Sequence, residues 1–267
     1  MPVAPGPHGR FIRRNDWFAA YARSMPDWLL AATAGLLAGG ALLVGAVVAW
    51  FVQVPRRIVA GIMAFGAGVL ISALAFDLVL EAQGEGGFWP TVSGFAVGAI
   101  VYVIANRLLD EFDQRNPRGT GTDPGTGLGI ALGALLDGVP ESAVLGLSMV
   151  GGGGVSVPVL VAIIISNVPE GLSSTADLKA SGRSGGYVFV LWTGIALASA
   201  LASLAGFVLL DGASGELTAF ITSLAAGAIL AMICDTMIPE AFRSTHAFTG
   251  LLATAGFLLS YALHEIG

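Results

Sequence analysis

The chain has 267 residues, 55% of them hydrophobic and only 11% charged, with a mean hydropathy of +0.81. A soluble domain carries about 25% charged residues, so this composition excludes one and points to an integral membrane protein. The net charge of −6 describes no surface, because several carboxylates fall inside apolar runs, and no nucleic-acid partner is expected. Cys234 is the only cysteine, which excludes an internal disulfide and a thiolate cluster.

In chain order, residues 1–27 are a basic tail with Arg10, Arg13, Arg14 and Arg23. Its second half reads either as an interfacial amphipathic helix, with Trp17, Phe18 and Tyr21 at headgroup level, or as a disordered tail. Eight apolar runs follow, over 28–54, 58–80, 88–109, 128–150, 155–178, 187–210, 217–238 and 247–266. A span needs about 20 residues, so the pattern predicts an all-α membrane domain of eight transmembrane helices over 28–267. The first run is too long for a signal-peptide core and is read as a retained helix. Connections such as "VPRR", "EAQGEGG" and "DGASGE" are short. The longest, 110–127, has the composition of a flexible linker, and the charge pattern puts it on the cytoplasmic side.

Orientation follows from the basic residues. Arg56, Arg57, Arg107, Arg115, Arg118, Lys179, Arg183 and Arg243 all follow odd-numbered spans, and the alternate loops have no Lys or Arg. Cytoplasmic loops retain such charge, so both termini are expected outside, the tail's arginines notwithstanding. Arginine far exceeds lysine and the loops are compact, which fits a bacterial inner membrane.

Two internal echoes stand out. "AFGAGVLISALAFDLVLEA" in span two resembles "SLAAGAILAMICDTMIPEA" in span seven, and "LLDGVPES" in span four resembles "IISNVPEG" in span five. Transporters built from internal repeats place their site between the repeats, near mid-membrane.

Spans four and five carry the chemistry. Asp137 and Glu141 are four residues apart, as are Ser166 and Glu170, so each pair projects from one helical face. Charge at this depth costs several kcal/mol unless compensated, and a divalent cation compensates it. Pro140 and Pro169 lack an N–H and free the carbonyls of Leu136 and Ile165, which become candidate ligands or water sites. Ser166, Glu170, Ser173 and Asp177 continue as one polar stripe toward the cytoplasmic end. Asp77 and Glu81 in span two, and Asp235 and Glu240 in span seven, are gate or entrance candidates; a plain solvated helix end is the bland alternative for each pair.

At these residues the chain resembles the ZIP (Zrt-/Irt-like) family of divalent metal transporters. "SNVPEG" matches the family's span-five motif well, "DGVPES" its span-four motif in part, and "GAGVLISALAFDLVLEA" its second span. The resemblance implies eight spans, external termini, a variable loop between spans three and four, and a homodimer. It further implies alternating access in which spans one, four, five and six move against the rest. Glu141 and Glu170 would bridge the metal centre, Asp137 and Ser166 would fill its first site, and Asn167 would belong to a second. Departures from the family are Asp137 in place of His, Gly138 in place of Asn or Asp, Ser166 in place of a stronger ligand, and a loop without histidine. His8, His246 and His264 all lie away from the motifs, and an oxygen-only set suits Mn²⁺ or Mg²⁺ better than Zn²⁺. Fe²⁺ and Cd²⁺ stay open as substrates. Competing readings are a relative in which one carboxylate carries a proton, a metal sensor without flux, and an intramembrane metal-dependent hydrolase. The last needs histidine ligands in a pattern such as H-E-x-x-H, which the chain lacks, so no enzyme is expected.

Overall fold

A computed structural model describes residues 25–115, 127–150 and 154–266. The N-terminal tail reading and most of the 110–127 loop therefore lie outside the described residues, although 110–115 continue a helix. Among the described residues the secondary structure is helical throughout. We number the helices α1 (Asp27–Phe51), α2 (Arg56–Gly86), α3 (Phe88–Arg115), α4 (Gly127–Leu147), α5 (Val157–Ala180), α6 (Gly185–Leu210), α7 (Gly215–Thr245) and α8 (Phe248–Ile266). Six of them, all but α4 and α8, are long and apolar enough to cross a membrane, which makes this a multi-pass membrane protein.

Helix starts follow local chemistry. Ser156, Ser184 and Ser214 accept from the backbone N–H three residues on, capping α5, α6 and α7. Gly182 takes a φ of 80° in the turn between α5 and α6, a conformation that side chains resist.

Helices α2 and α7 differ from the sequence expectation. Each runs 31 residues, and each turns π-helical after its first 18, at Leu74–Val79 and Ile233–Met237. The π segments hold Asp77 and Asp235, so the weak sequence echo between spans two and seven corresponds to a shared backbone irregularity. Such bulges are rare and concentrate at functional sites.

The helices sort into two groups by how closely they approach. In the first, α1 packs on α5 and α6, and α4 packs on α6. Gly45 lies against the carbonyl of Val168, Gly171 against that of Leu42, and Gly146 against that of Ser203, so close that a Cβ would collide. In the second group, Gly98 of α3 meets the Leu224 carbonyl of α7, and Gly68 of α2 meets the Ala253 carbonyl of α8 in the same way. Lipid supplies no hydrophobic drive between helices, so small residues that let backbones touch are the packing device available. Hydrogen bonds reinforce the first group. Trp192, fully buried, donates Nε1 to Thr175 Oγ1 at 2.8 Å, and Ser203 donates to the Ala31 carbonyl at 2.7 Å.

The seam between the groups is different. It runs where α2 meets α5 and where α4 meets α3 and α7. Among the described glycines, none on this seam faces such a collision; a Cβ on Gly66 would sit 3.2 Å from Ser166 Cα, and one on Gly133 would sit 4.0 Å from a Leu109 methyl.

Candidate functional site

The Pro-Glu pairs of α4 and α5 lie at this seam. Both helices run unbroken through Pro140 and Pro169, so the prolines release the Leu136 and Ile165 carbonyls without ending either helix. The Ile165 carbonyl lies 3.4 Å from the Cβ position of Gly66 on α2, which places the freed acceptor beside the opposite group.

Glu141 is only 1% exposed, and its Oε2 is buried without a hydrogen-bond partner. Glu170, half-buried on α5, lies within the electrostatic reach of Asp137, Glu141 and Glu240, from α4 and α7. Asp137 accepts a 3.0 Å hydrogen bond from the Tyr102 hydroxyl of α3. Three carboxylates of the first group thus share a field, and Glu240 of the second group reaches Glu170 from across the seam. Glu240 joins the cluster from the far end of α7, where the sequence offered a solvated helix end as the bland alternative.

Ser166 is buried and donates its hydroxyl to the Ile163 carbonyl at 2.9 Å, which leaves its lone pairs open to a cation. Asn167, also buried, spends an amide N–H on the Ala38 carbonyl of α1 at 2.9 Å. Part of its hydrogen-bonding capacity therefore ties α5 to its own group. Gly138 faces Ser199 Oγ of α6, with room for a Cβ at 3.6 Å.

Along α5 the polar stripe grades from buried to open. Ser166 is buried, Glu170 and Ser173 are intermediate and Asp177 is exposed, over about 16 Å of helix axis at 1.5 Å per residue. Ser173 donates to Glu240 Oε1 at 2.6 Å. Beyond it opens a cavity of about 320 Å³ lined by Ser173, Asp177, Glu240, Arg56 and Arg243. Lys179 reaches back to the Trp50 carbonyl at 2.7 Å, so basic residues of three connections gather at this end of the bundle.

The gate candidates of α2 stand apart from the cluster. Asp77 Oδ1 lies 2.9 Å from His264 Nδ1 of α8, within the second group, while its Oδ2 is buried without a partner. Glu81 is exposed, as is Asp235. His264 therefore does have a carboxylate partner, which its position near the chain's end did not foretell. Among the described residues, no three His, Cys, Asp or Glu side chains stand close enough to form a metal-ligand group. The carboxylates share a field without closing a coordination shell.

No protein-family profile matches this chain. It is 30% identical over 204 residues to a protein of Arabidopsis thaliana named "Putative zinc transporter". The match takes in 74% of this chain and 32% of that protein, so the chain spans about a third of the plant protein's length. The ZIP resemblance read from the motifs is consistent with that relative.

Proposed function

We propose that the chain is a divergent ZIP-like transporter of divalent cations, with α1 and α4 to α6 as one moving group and α2, α3, α7 and α8 as the other. The observation that carries the reading is the buried, unpartnered oxygen of Glu141 among three more carboxylates. Native interiors satisfy such groups, and an orphaned carboxylate oxygen at membrane depth calls for a positive ligand. The plant relative's printed name supports transport over hydrolysis.

Glu141 and Glu170 hold the cation between them, Asp137 and Ser166 complete the shell, and Asn167 stands at its edge. These donors all lie on α4 and α5, within one moving group, so the cation travels with that group as the seam opens and closes. The cation then leaves along Ser173 and Asp177 past Glu240 into the cavity, which in this reading is cytoplasmic, a side supported by the clustered Arg and Lys residues. In this reading all eight helices span the membrane, the termini are external, the protein resides in the plasma membrane, and two copies form a homodimer.

The test is uptake into sealed proteoliposomes with a panel of Zn²⁺, Mn²⁺, Fe²⁺, Cd²⁺ and Mg²⁺. Wild type is expected to take up at least one of them saturably, and Glu170→Gln to fall to background while remaining folded. Bound metal without flux would replace transport by sensing. Uptake unchanged in Glu170→Gln would remove that residue from the site.

A further inference from the structure

Among the described residues, the hydrogen bonds between side chains that join the two groups across the seam include Tyr102 to Asp137 and Ser173 to Glu240. The first is the buried one. Tyr102 is 2% exposed, one helical turn beyond Gly98, whose contact with the Leu224 carbonyl fixes that part of α3 onto α7. Asp137 belongs to α4, which Gly146 fixes onto α6 through the Ser203 carbonyl. Neither partner can shift far without its whole group, so the 3.0 Å bond reports where one group stands relative to the other.

We infer that Tyr102 is a positioning residue that sets the cation affinity of Asp137 according to the position of the seam. This rests on the transport reading above. The phenol donates to Asp137 Oδ1, and the same carboxylate lies within electrostatic reach of Glu141 and Glu170. A donor behind a ligating carboxylate fixes its orientation, and the loss of such a support costs about 10- to 100-fold in metal affinity. When the groups part, the support is withdrawn and the ligand loosens. Cation release thereby becomes linked to the conformational step. The aromatic ring also fills the space that a smaller donor would leave to water.

The experiment is zinc and manganese uptake by proteoliposomes carrying wild type, Tyr102→Phe, Asp137→Asn and the double variant, with thermal stability as the folding control. Tyr102→Phe is expected to raise KM about 10-fold or more, with the maximal rate changing less. Added to Asp137→Asn, it is expected to change nothing further, because Tyr102 acts through that carboxylate. A folded Tyr102→Phe with wild-type KM overturns the inference and leaves the transport reading standing. Equal, additive losses in both backgrounds also overturn it, since they show a packing role. Should Tyr102→Phe fail to fold, Tyr102→His, which keeps a ring and a donor, is expected to hold KM near wild type, and a tenfold rise there counts against the inference. Wild type without saturable uptake ends both readings.

Discussion

Within each helix group, backbone touches backbone; along the seam, side-chain oxygens face one another. The α3–α7 contact at Gly98 and the α2–α8 contact at Gly68 leave no space for a methyl group, whereas the α2–α5 contact at Gly66 nearly does. The titratable side chains are divided just as unevenly. Asp137, Glu141 and Glu170 gather on the first group's seam face, with Glu240 reaching them from α7, while the interior of the first group is held by Trp192–Thr175 and Asn167–Ala38 bonds that carry no charge. Close glycine contacts make rigid bodies, since a packed interior has few ways to deform. A charged seam is stable only when something compensates it. The contrast separates the interfaces that hold each group together from the one where the proposed cation site lies, so mutations can address them separately.

The largest expected effect breaks the seam. Glu141→Gln removes the orphaned carboxylate and is expected to cut saturable uptake by more than about 100-fold, beyond the range of a supporting residue. The same variant is expected to be at least as stable as wild type without metal, because no ionisable group is then buried at that position without a partner. Uptake together with thermal melts in metal-free detergent checks both halves.

Breaking a group interior should do the reverse. Gly98→Ala forces α3 away from α7 and is expected to lower stability by about 1–3 kcal/mol, the usual cost of overpacking. Gly138→Ala, whose Cβ meets Ser199 Oγ at an ordinary 3.6 Å, is the matched control and is expected to stay within about 0.5 kcal/mol. Equal losses in the two variants would dissolve the distinction between glycines in close backbone contact and glycines with open space.

Gly66→Ala sharpens the comparison from the seam side. Its Cβ would stand 3.2 Å from Ser166 Cα, tight enough that α2 and α5 must give slightly. The expected result is a several-fold loss of maximal uptake rate with a melting temperature close to that of wild type. The smallest effect belongs to Ser173→Ala, which removes the 2.6 Å bond to Glu240 at the edge of the cavity. One exposed hydrogen bond is worth about 1 kcal/mol or less, so a two- to fivefold change in uptake is the expectation, measured in the same vesicles.

The helix order and the Pro-Glu pairs were legible in the sequence because hydropathy period and proline chemistry are local properties. Even the two long helices were partly visible, in the echo that takes in Glu81 and Glu240. Their π segments were not, since one inserted residue in a helical turn is stabilised by neighbours far away in the chain. Glu240 could be placed only once the fold brought the end of α7 within hydrogen-bond reach of Ser173 on α5. Tyr102 escaped for a related reason: one tyrosine in an apolar run matches no motif. Its signal was its depth, because tyrosines in spans favour the membrane interface and this one lies mid-helix with a hydroxyl to satisfy. The His264–Asp77 contact joins residues 187 apart, a pairing for which periodicity offers no cue.

Whether the seam carboxylates are the cation's ligands is tested most directly by X-ray absorption at the zinc edge on the purified, zinc-loaded protein. The account predicts a shell of oxygen neighbours at about 2.0–2.2 Å, without imidazole scattering, that disappears from both Glu141→Gln and Glu170→Gln. An imidazole signature that survives both substitutions and vanishes with His264→Ala would contradict it and move the centre to the Asp77–His264 pair.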